Sequence, residues 1–327
     1  MKAILIDEFG GPEVLSFAEV ERPTPQSGQV LIKVAATSVN RPDLVQREGK
    51  YPAPPGESPI LGLEVAGTIE EIADSESPWR VGDRVMSLVA GGGYAEYALA
   101  YTGHVMPVPE SMRFEEAACV CETYITAYLN LFMIGGLVNG GSALIHGGGG
   151  GVNTAALHLC ANLVPQARTL VTASPQKIER VKALGADLVI NYREQDFAEE
   201  VKAFTHKRGV DVILDHIGAP YLASNMKSLA LCGRLVSIGV TGGIKAEINL
   251  ALLMVKRQQL IGSVLRSRPV EEKSEIVAAF SKAVIPFLAD RSIVPLVHEV
   301  YPLSEAAQAH RAMEASSHFG KLVLAVA

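Results

Sequence analysis

The chain has 327 residues, 48% hydrophobic and 20% charged, a globular profile long enough for two domains. A net charge of −6 with a pI near 5.8 argues against a general binder of nucleic-acid phosphates, which needs a basic face. The 4 cysteines, Cys119, Cys121, Cys160 and Cys232, form no CxxC pair, so neither a structural zinc site nor a disulfide framework is expected; free thiols fit a reducing cytoplasm.

In chain order, "MKAILIDEFGGPEV" meets Asp7 and Glu8 before an apolar core can form and is not read as a secretory signal. Residues 1–117 read as β-rich: "KAILID", "VLIKVAATSV", "EVAGTIEEIA", "DRVMSLV" and "AEYALA", separated by Pro/Gly clusters such as "RPTPQSGQ" and "YPAPPGESP". "YITAYLNLFMIGGLV" (124–138) is too short to cross a membrane and carries Asn130, so it is expected as a buried helix. The rhythm then changes. "SALIHG", "RTLVTAS", "DLVINY", "VDVILDHI", "RLVSIG" and "LIGSVLR" alternate with helical stretches, which predicts a doubly wound parallel sheet of Rossmann type over 118–268. In "TASPQKIERVKALGAD", Ser174 is the expected N-cap, Pro175 fits the first helical position, and Gly185 ends the helix. The tail, 269–327, contains the strand-like "IVPLVHEVY" and "GKLVLAV" and is expected to rejoin the N-terminal domain.

"ALIHGGGGGVNTAALHLC" (143–160) places a glycine run after a strand and before a helix. A dinucleotide loop uses its glycines for a tight turn, for backbone approach to the pyrophosphate and for close helix–sheet packing. Gly148, Gly150 and Asn153 occupy those places, with asparagine where the last glycine is usual. The substitution is expected to widen the helix–sheet contact and weaken cofactor binding. The pyrophosphate would rest on the helix N-terminus. Where an NAD site carries an acid at the end of the next strand, this chain reads "TLVTASPQK". With no carboxylate to repel it, a 2′-phosphate would meet the Ser174 hydroxyl, the Lys177 ammonium and the Tyr192 hydroxyl, so NADPH is the expected cofactor.

The chain also resembles a known family. "SVNRPDLVQREGKYPAPPG", "LGLEVAGTI", "VGDRVMSLVAGGGYAEY", "ITAYLNL", "ALGADLVINYRE", "VILDHIG", "LALCGRLVSIG", "LRSR" and "GKLVL" are similar, in this order and over nearly the whole length, to the zinc-independent quinone oxidoreductases. These form the ζ-crystallin and p53-inducible branch of the medium-chain dehydrogenase/reductase superfamily. The resemblance implies a GroES-like β-rich catalytic domain (1–117 with 269–327), a Rossmann NADPH-binding domain and a homodimer paired by an edge near "LIGSVLRSR". It implies that Asn40 and Tyr51 face substrate and nicotinamide, and that Thr126 contacts the nicotinamide half of the cofactor. Gly150, Gly151 and Val152 would line the pyrophosphate, and Gly239, Leu265 and Lys321 would close over the nicotinamide side. Zinc-using members place a cysteine near 38 and a His–Glu pair near 63–64. Here those positions are Ser38, Leu63 and Glu64, so no catalytic metal is expected.

Without a Lewis acid, electron-poor acceptors fit best: quinones first, with enones, 2-alkenals or enoyl thioesters as the alternative on the same scaffold. Asn40 and Tyr51 are the expected oxyanion donors. A non-catalytic NADPH-binding sensor or structural protein remains the reading from another class. Neither a nucleic-acid partner nor a membrane is expected.

Overall fold

The computed structural model describes residues 1–326. Fifteen strands run in chain order: β1 Lys2–Ile6, β2 Leu15–Glu19, β3 Gln29–Ser38, β4 Glu64–Ile72, β5 Arg84–Leu88, β6 Tyr97–Tyr101, β7 Val105–Pro107, β8 Ser142–His146, β9 Arg168–Ala173, β10 Leu188–Asn191, β11 Val210–Asp215, β12 Leu229–Ser237, β13 Gln259–Gly262, β14 Val297–Pro302 and β15 Lys321–Ala325. The chain divides into two compact units. Met1–Ile125 joins the segment that starts at Leu265, and Thr126–Val264 forms the other.

The first unit is a β-rich body of GroES type. Its 7-stranded sheet has the order β14-β15-β3-β4-β5-β7, with β6 branching from β3, and β1 and β2 form a separate antiparallel pair. Apart from β14–β15, which is parallel, the ladders are antiparallel. Strand β15 lies against β3 in the register Val323↔Ser38, so the tail does return to the N-terminal sheet. The alternation of β-branched residues in β3 and β4 sends Val30, Ile32, Val34, Val65 and Ile69 into one core, where Leu322, Leu324 and Met313 meet them.

The boundaries differ from the sequence expectation by a few residues at each junction. Residues 118–125 belong to the first unit, to which the Glu122 N–H ties them by donating to Glu64 at 2.9 Å. Residues 265–268 belong there too, with Arg266 Nε donating to the Ala90 carbonyl at 2.7 Å.

The second unit is a 6-stranded parallel sheet in the order β10-β9-β8-β11-β12-β13. Every residue of β8 is buried, as expected of a central parallel strand covered on both faces. Leu144, Leu170, Ile190, Ile213 and Leu235 form its core with Phe197 and Val201 from the helix Phe197–Phe204. The strand read as "RLVSIG" begins earlier, at Leu229, and Cys232 kinks it with a φ of 60°. The helix expected over 124–138 is α-helical over Thr123–Tyr128 and widens to a π-helical turn over Leu129–Ile134. Among the described residues no helix is long and apolar enough to cross a membrane.

Candidate active site and cofactor site

In the second unit, strand register gathers the expected cofactor residues along one edge. His146 pairs with Thr172 and Ala173 pairs with Asn191. The glycine loop, Ser174 and Tyr192 therefore all leave the carboxyl ends of adjacent parallel strands, where open α/β sheets bind ligands. Gly239 follows β12 at the same edge, and a Cβ placed on it would lie 3.3 Å from His216.

The tight turn falls on Gly147, one residue before the glycine expected to make it. Its φ of +85° is the left-handed region, and its N–H donates to the Thr172 carbonyl at 3.0 Å. Gly148 instead packs: a Cβ there would lie 2.8 Å from both Val171 and Val181. A Cβ on Gly149 would meet Lys177 Cδ at 2.4 Å and Nζ at 3.2 Å, so the lysine side chain lies along the loop itself. The helix Gly151–Leu163 starts at Gly150, and among the described residues no side chain caps it. Its first N–H groups, from Gly151, Val152 and Asn153, thus point outward with the helix dipole behind them, the arrangement that receives an anion.

Asn153 is buried, and its amide donates to the His146 carbonyl. The side chain that stands in place of the last glycine therefore spans the gap between helix and strand with a hydrogen bond. His146 beneath it is locked in turn: one ring nitrogen contacts Asn225 Oδ1 (2.7 Å) and the other the Thr172 hydroxyl (3.1 Å). Burial pushes its pKa down to about 3, so the ring is a neutral strut under the loop. Ser174 has the backbone angles of an N-cap, but among the described residues its side chain makes no cap bond. The turn it opens, Pro175–Lys177, is a 3₁₀ turn that carries Lys177 toward Gly149. Tyr192 is 40% exposed. Thr126 is half-buried, and its carbonyl accepts from Asn130 at 2.7 Å.

The first unit builds a buried charged cluster around Glu64, the first residue of β4. Its Oε1 accepts from the Ser38 hydroxyl (2.6 Å), from Asn40 Nδ2 (3.0 Å) and from Lys321 Nζ (3.1 Å). Lys321, at the start of β15, spends its other two N–H groups on the Val39 carbonyl (3.0 Å) and Asn40 Oδ1 (2.5 Å). The Glu64 and Lys321 side chains are 0% and 5% exposed. Asn40 Nδ2 also reaches the Ser38 carbonyl at 3.3 Å. Both N–H bonds of the amide expected as an oxyanion donor are thus engaged inside the cluster. Asn40 thereby bridges Glu64 and Lys321.

The donor set does not fit zinc. Ser38 offers a hydroxyl in place of a thiolate, Leu63 offers no ligand, and the Glu64 carboxylate already holds an ammonium. Among the described residues no group of three His, Cys, Asp or Glu could hold a metal ion.

Two further side chains join this region. The Tyr51 ring lies under the Arg266 guanidinium, with 5.1 Å from Cζ to the ring centroid. Burial, with the nearby Glu122 charge, raises the Tyr51 pKa, and Arg266 opposes that shift. The phenol therefore stays protonated at neutral pH and can donate. Arg266 is 6% exposed; its Nε is held by Ala90, while both Nη atoms are buried without an acceptor. A desolvated cation with two open donors is costly to keep and is suited to receiving an oxygen that gains charge. Leu265, beside it, is buried. In the sequence Arg266 stands only within "LRSR"; the signal that marks it is burial, which one sequence does not display.

Glu122 carries a pH consequence of its own. Burial first, then the Glu64 charge, raises its pKa from 4.5 to about 8, with Lys321 pulling the other way. Between those two values the folded chain holds a proton that the unfolded chain has lost. Glu122 therefore makes stability fall as pH rises through that window, and the loss levels off above pH 8. Glu122→Gln, neutral throughout, should flatten the slope: its melting temperature should match the wild type near pH 5 and exceed it at pH 8–9, read by thermal melts across that range.

Residues 26–110 match the family model for the alcohol dehydrogenase GroES-like domain, and residues 184–324 match that for zinc-binding dehydrogenases. Human quinone oxidoreductase is 36% identical over 329 residues, covering 99% of this chain and 97% of its own length. A mycobacterial protein solved in complex with NADPH is 31% identical with a TM-score of 0.87, covering 99% of this chain and 100% of that one. A mycobacterial quinone oxidoreductase structure is 32% identical, with a TM-score of 0.85 and 99% coverage of both chains. With its GroES-like and Rossmann units and this near full-length identity, the chain belongs to the quinone oxidoreductase family of the medium-chain dehydrogenase/reductase superfamily.

Proposed function

We propose that this protein is an NADPH-dependent quinone reductase that works without zinc, as a homodimer in the cytoplasm. One observation carries the chemistry: the Lys321 ammonium, seated against Glu64 and Asn40, balances the buried Glu64 carboxylate with a side chain of this chain itself. NADPH supplies the hydride. The pyrophosphate is assigned to the N–H groups of Gly151, Val152 and Asn153, and the 2′-phosphate to Ser174, Lys177 and Tyr192. The absence of an acid after β9 and the course of Lys177 along Gly149 support this choice over NAD.

On the acceptor side, Tyr51 donates its phenolic proton toward the oxygen that gains negative charge, and Arg266 provides a desolvated positive field for it. Asn40, Lys321 and Glu64 form the rigid base of that site. Thr126 and Gly239 are assigned to the nicotinamide half of the cofactor. Quinones suit this equipment because they accept hydride without a Lewis acid.

The decisive experiment pairs a fluorescence titration of NADPH and NADH with turnover of an ortho-quinone and of an enone. Micromolar NADPH binding, much weaker NADH binding and faster turnover of the quinone support the reading. Preferred turnover of the enone replaces it with an enone reductase, and failure to bind either nucleotide points to a non-catalytic protein. Arg266→Met gives a sharper check. It should reduce kcat/KM for the quinone about 100-fold, the usual effect of losing an oxyanion donor. Its melting temperature should hold or rise, because the buried cation it removes has no acceptors for either Nη.

A further inference from the structure

On its other side, Asn40 is tied to a run of hydrogen bonds that reaches the protein surface. Its backbone N–H donates to Asp43 Oδ2 at 2.7 Å, and the same oxygen accepts from the Tyr94 hydroxyl at 3.2 Å. Asp43 Oδ1 accepts from the Gly62 N–H at 3.2 Å. The Tyr94 hydroxyl lies 3.2 Å from His310 Nε2, and His310 Nδ1 lies 3.1 Å from Arg47 Nη1. Arg47 Nη2 ends the run on Glu314 Oε1 at 2.6 Å. Asp43, Arg47, Tyr94 and His310 are each at most 1% exposed.

The polarity of every link follows from one fact: a guanidinium only donates. His310 Nδ1 facing Arg47 must carry a lone pair, so the single ring proton is on Nε2. That proton is donated to the Tyr94 oxygen, which leaves the Tyr94 proton for Asp43. The carboxylate then accepts from Tyr94, Asn40 and Gly62 together. A reversed link would set two donors against each other in a buried site.

We infer that Arg47, His310, Tyr94 and Asp43 form a one-way hydrogen-bond relay that fixes Asn40, and through it the Lys321–Glu64 pair, making them positioning residues for the reaction. This rests on the quinone reductase reading for its kinetic consequence, though not for its geometry. Asn40 is gripped at both ends, by Asp43 at its backbone and by Lys321 at its side chain. The burial that depresses His310 to about 3 agrees with a neutral ring, and Asp43, raised to about 6 by burial, is held down by its three donors and the Lys321 charge. The Asp43 charge in turn acts on Glu122 and Arg266, raising both.

The test has two arms on the full chain. Nitrogen-15 NMR of labelled histidine, with His310 assigned by comparison with His310→Gln, should show the neutral Nε2–H tautomer unchanged from pH 5 to 8. A protonated ring or the Nδ1–H tautomer would overturn the relay, and this arm needs no turnover. In the second arm, Tyr94→Phe keeps the ring and removes one donor from Asp43. Its kcat/KM should fall several-fold, and the acid limb of the pH profile should move to higher pH. A lower melting temperature with an unmoved acid limb would reduce Tyr94 to packing and overturn the positioning role. If no acceptor is turned over by the wild type, the function reading fails, and the pH at which the Asn40 amide resonance shifts reports on Asp43 instead. That pH should be higher in Tyr94→Phe, and an unchanged value would overturn the relay.

Discussion

Replacing Lys321 with methionine should destabilise the GroES-like unit by about 3–5 kcal/mol, the usual result of removing one partner from a buried ion pair. Glu64 would then be a buried carboxylate with only the neutral donors of Ser38, Asn40 and Glu122. Asn40 Oδ1 would lose its bond to the ammonium and the amide would be freer to turn, so kcat should fall more than NADPH affinity. The control is the double variant Lys321→Met with Glu64→Gln. Neutralising the orphaned carboxylate should recover a measurable part of the lost stability, although the new amide must leave one of its three remaining donors poorly matched. Chemical denaturation of the wild type, both single variants and the double variant gives the coupling energy directly. Additive effects would mean that the ammonium does not balance Glu64, and the argument for metal-free chemistry would lose its support.

The second large effect concerns cofactor choice. Lys177→Ala should weaken NADPH binding roughly 10- to 100-fold, the range for losing a hydrogen bond to a charged group, and change NADH binding by less than about threefold. Lys177→Glu combined with Ser174→Asp should go further and favour NADH, since both changes set negative charge where the 2′-phosphate would sit. Lys177 lies along Gly149, so part of its effect comes through the loop and not through the phosphate alone. Comparing NADPH with NADH in the same variant separates the two, because a disturbed loop weakens both equally. Equal loss for both nucleotides would remove Lys177 from the 2′-phosphate site.

The fold was largely legible from the residues. Parallel strands such as "SALIH" are unbroken apolar runs, the β-rich region alternates, and Pro/Gly clusters separate its strands, each for a local physical reason. The short β7 and the backward extension of β12 past the Cys232 kink were not legible. Three residues carry no periodicity, and a left-handed cysteine leaves no trace in composition. The glycine loop and the lysine after it were legible because their chemistry is local. The charged cluster was not. Glu64 attracted notice only as the remnant of a metal site, and Asp43, Arg266 and His310 attracted none. What singles them out is that charge is buried and paired across the sequence, and burial is a property of the folded chain. Asn40 is marked by its motif, while its hydrogen bonds to Glu64 and Lys321 are visible only in the fold.

Lys321 and Asn40 are 281 positions apart, and the whole of the second unit lies between them in the chain. During synthesis, Glu64 and Asn40 leave the ribosome long before the ammonium that will neutralise one and bridge to the other. The nascent GroES-like segment must therefore wait with an uncompensated acid at its centre, hydrated and unable to close. The inserted nucleotide-binding unit, whose six-stranded sheet is drawn from one continuous stretch of chain, has no such dependence and can fold first. Vectorial synthesis thus assigns the reactive centre to the end of assembly, and a half-made chain has no competent site with which to consume reducing equivalents.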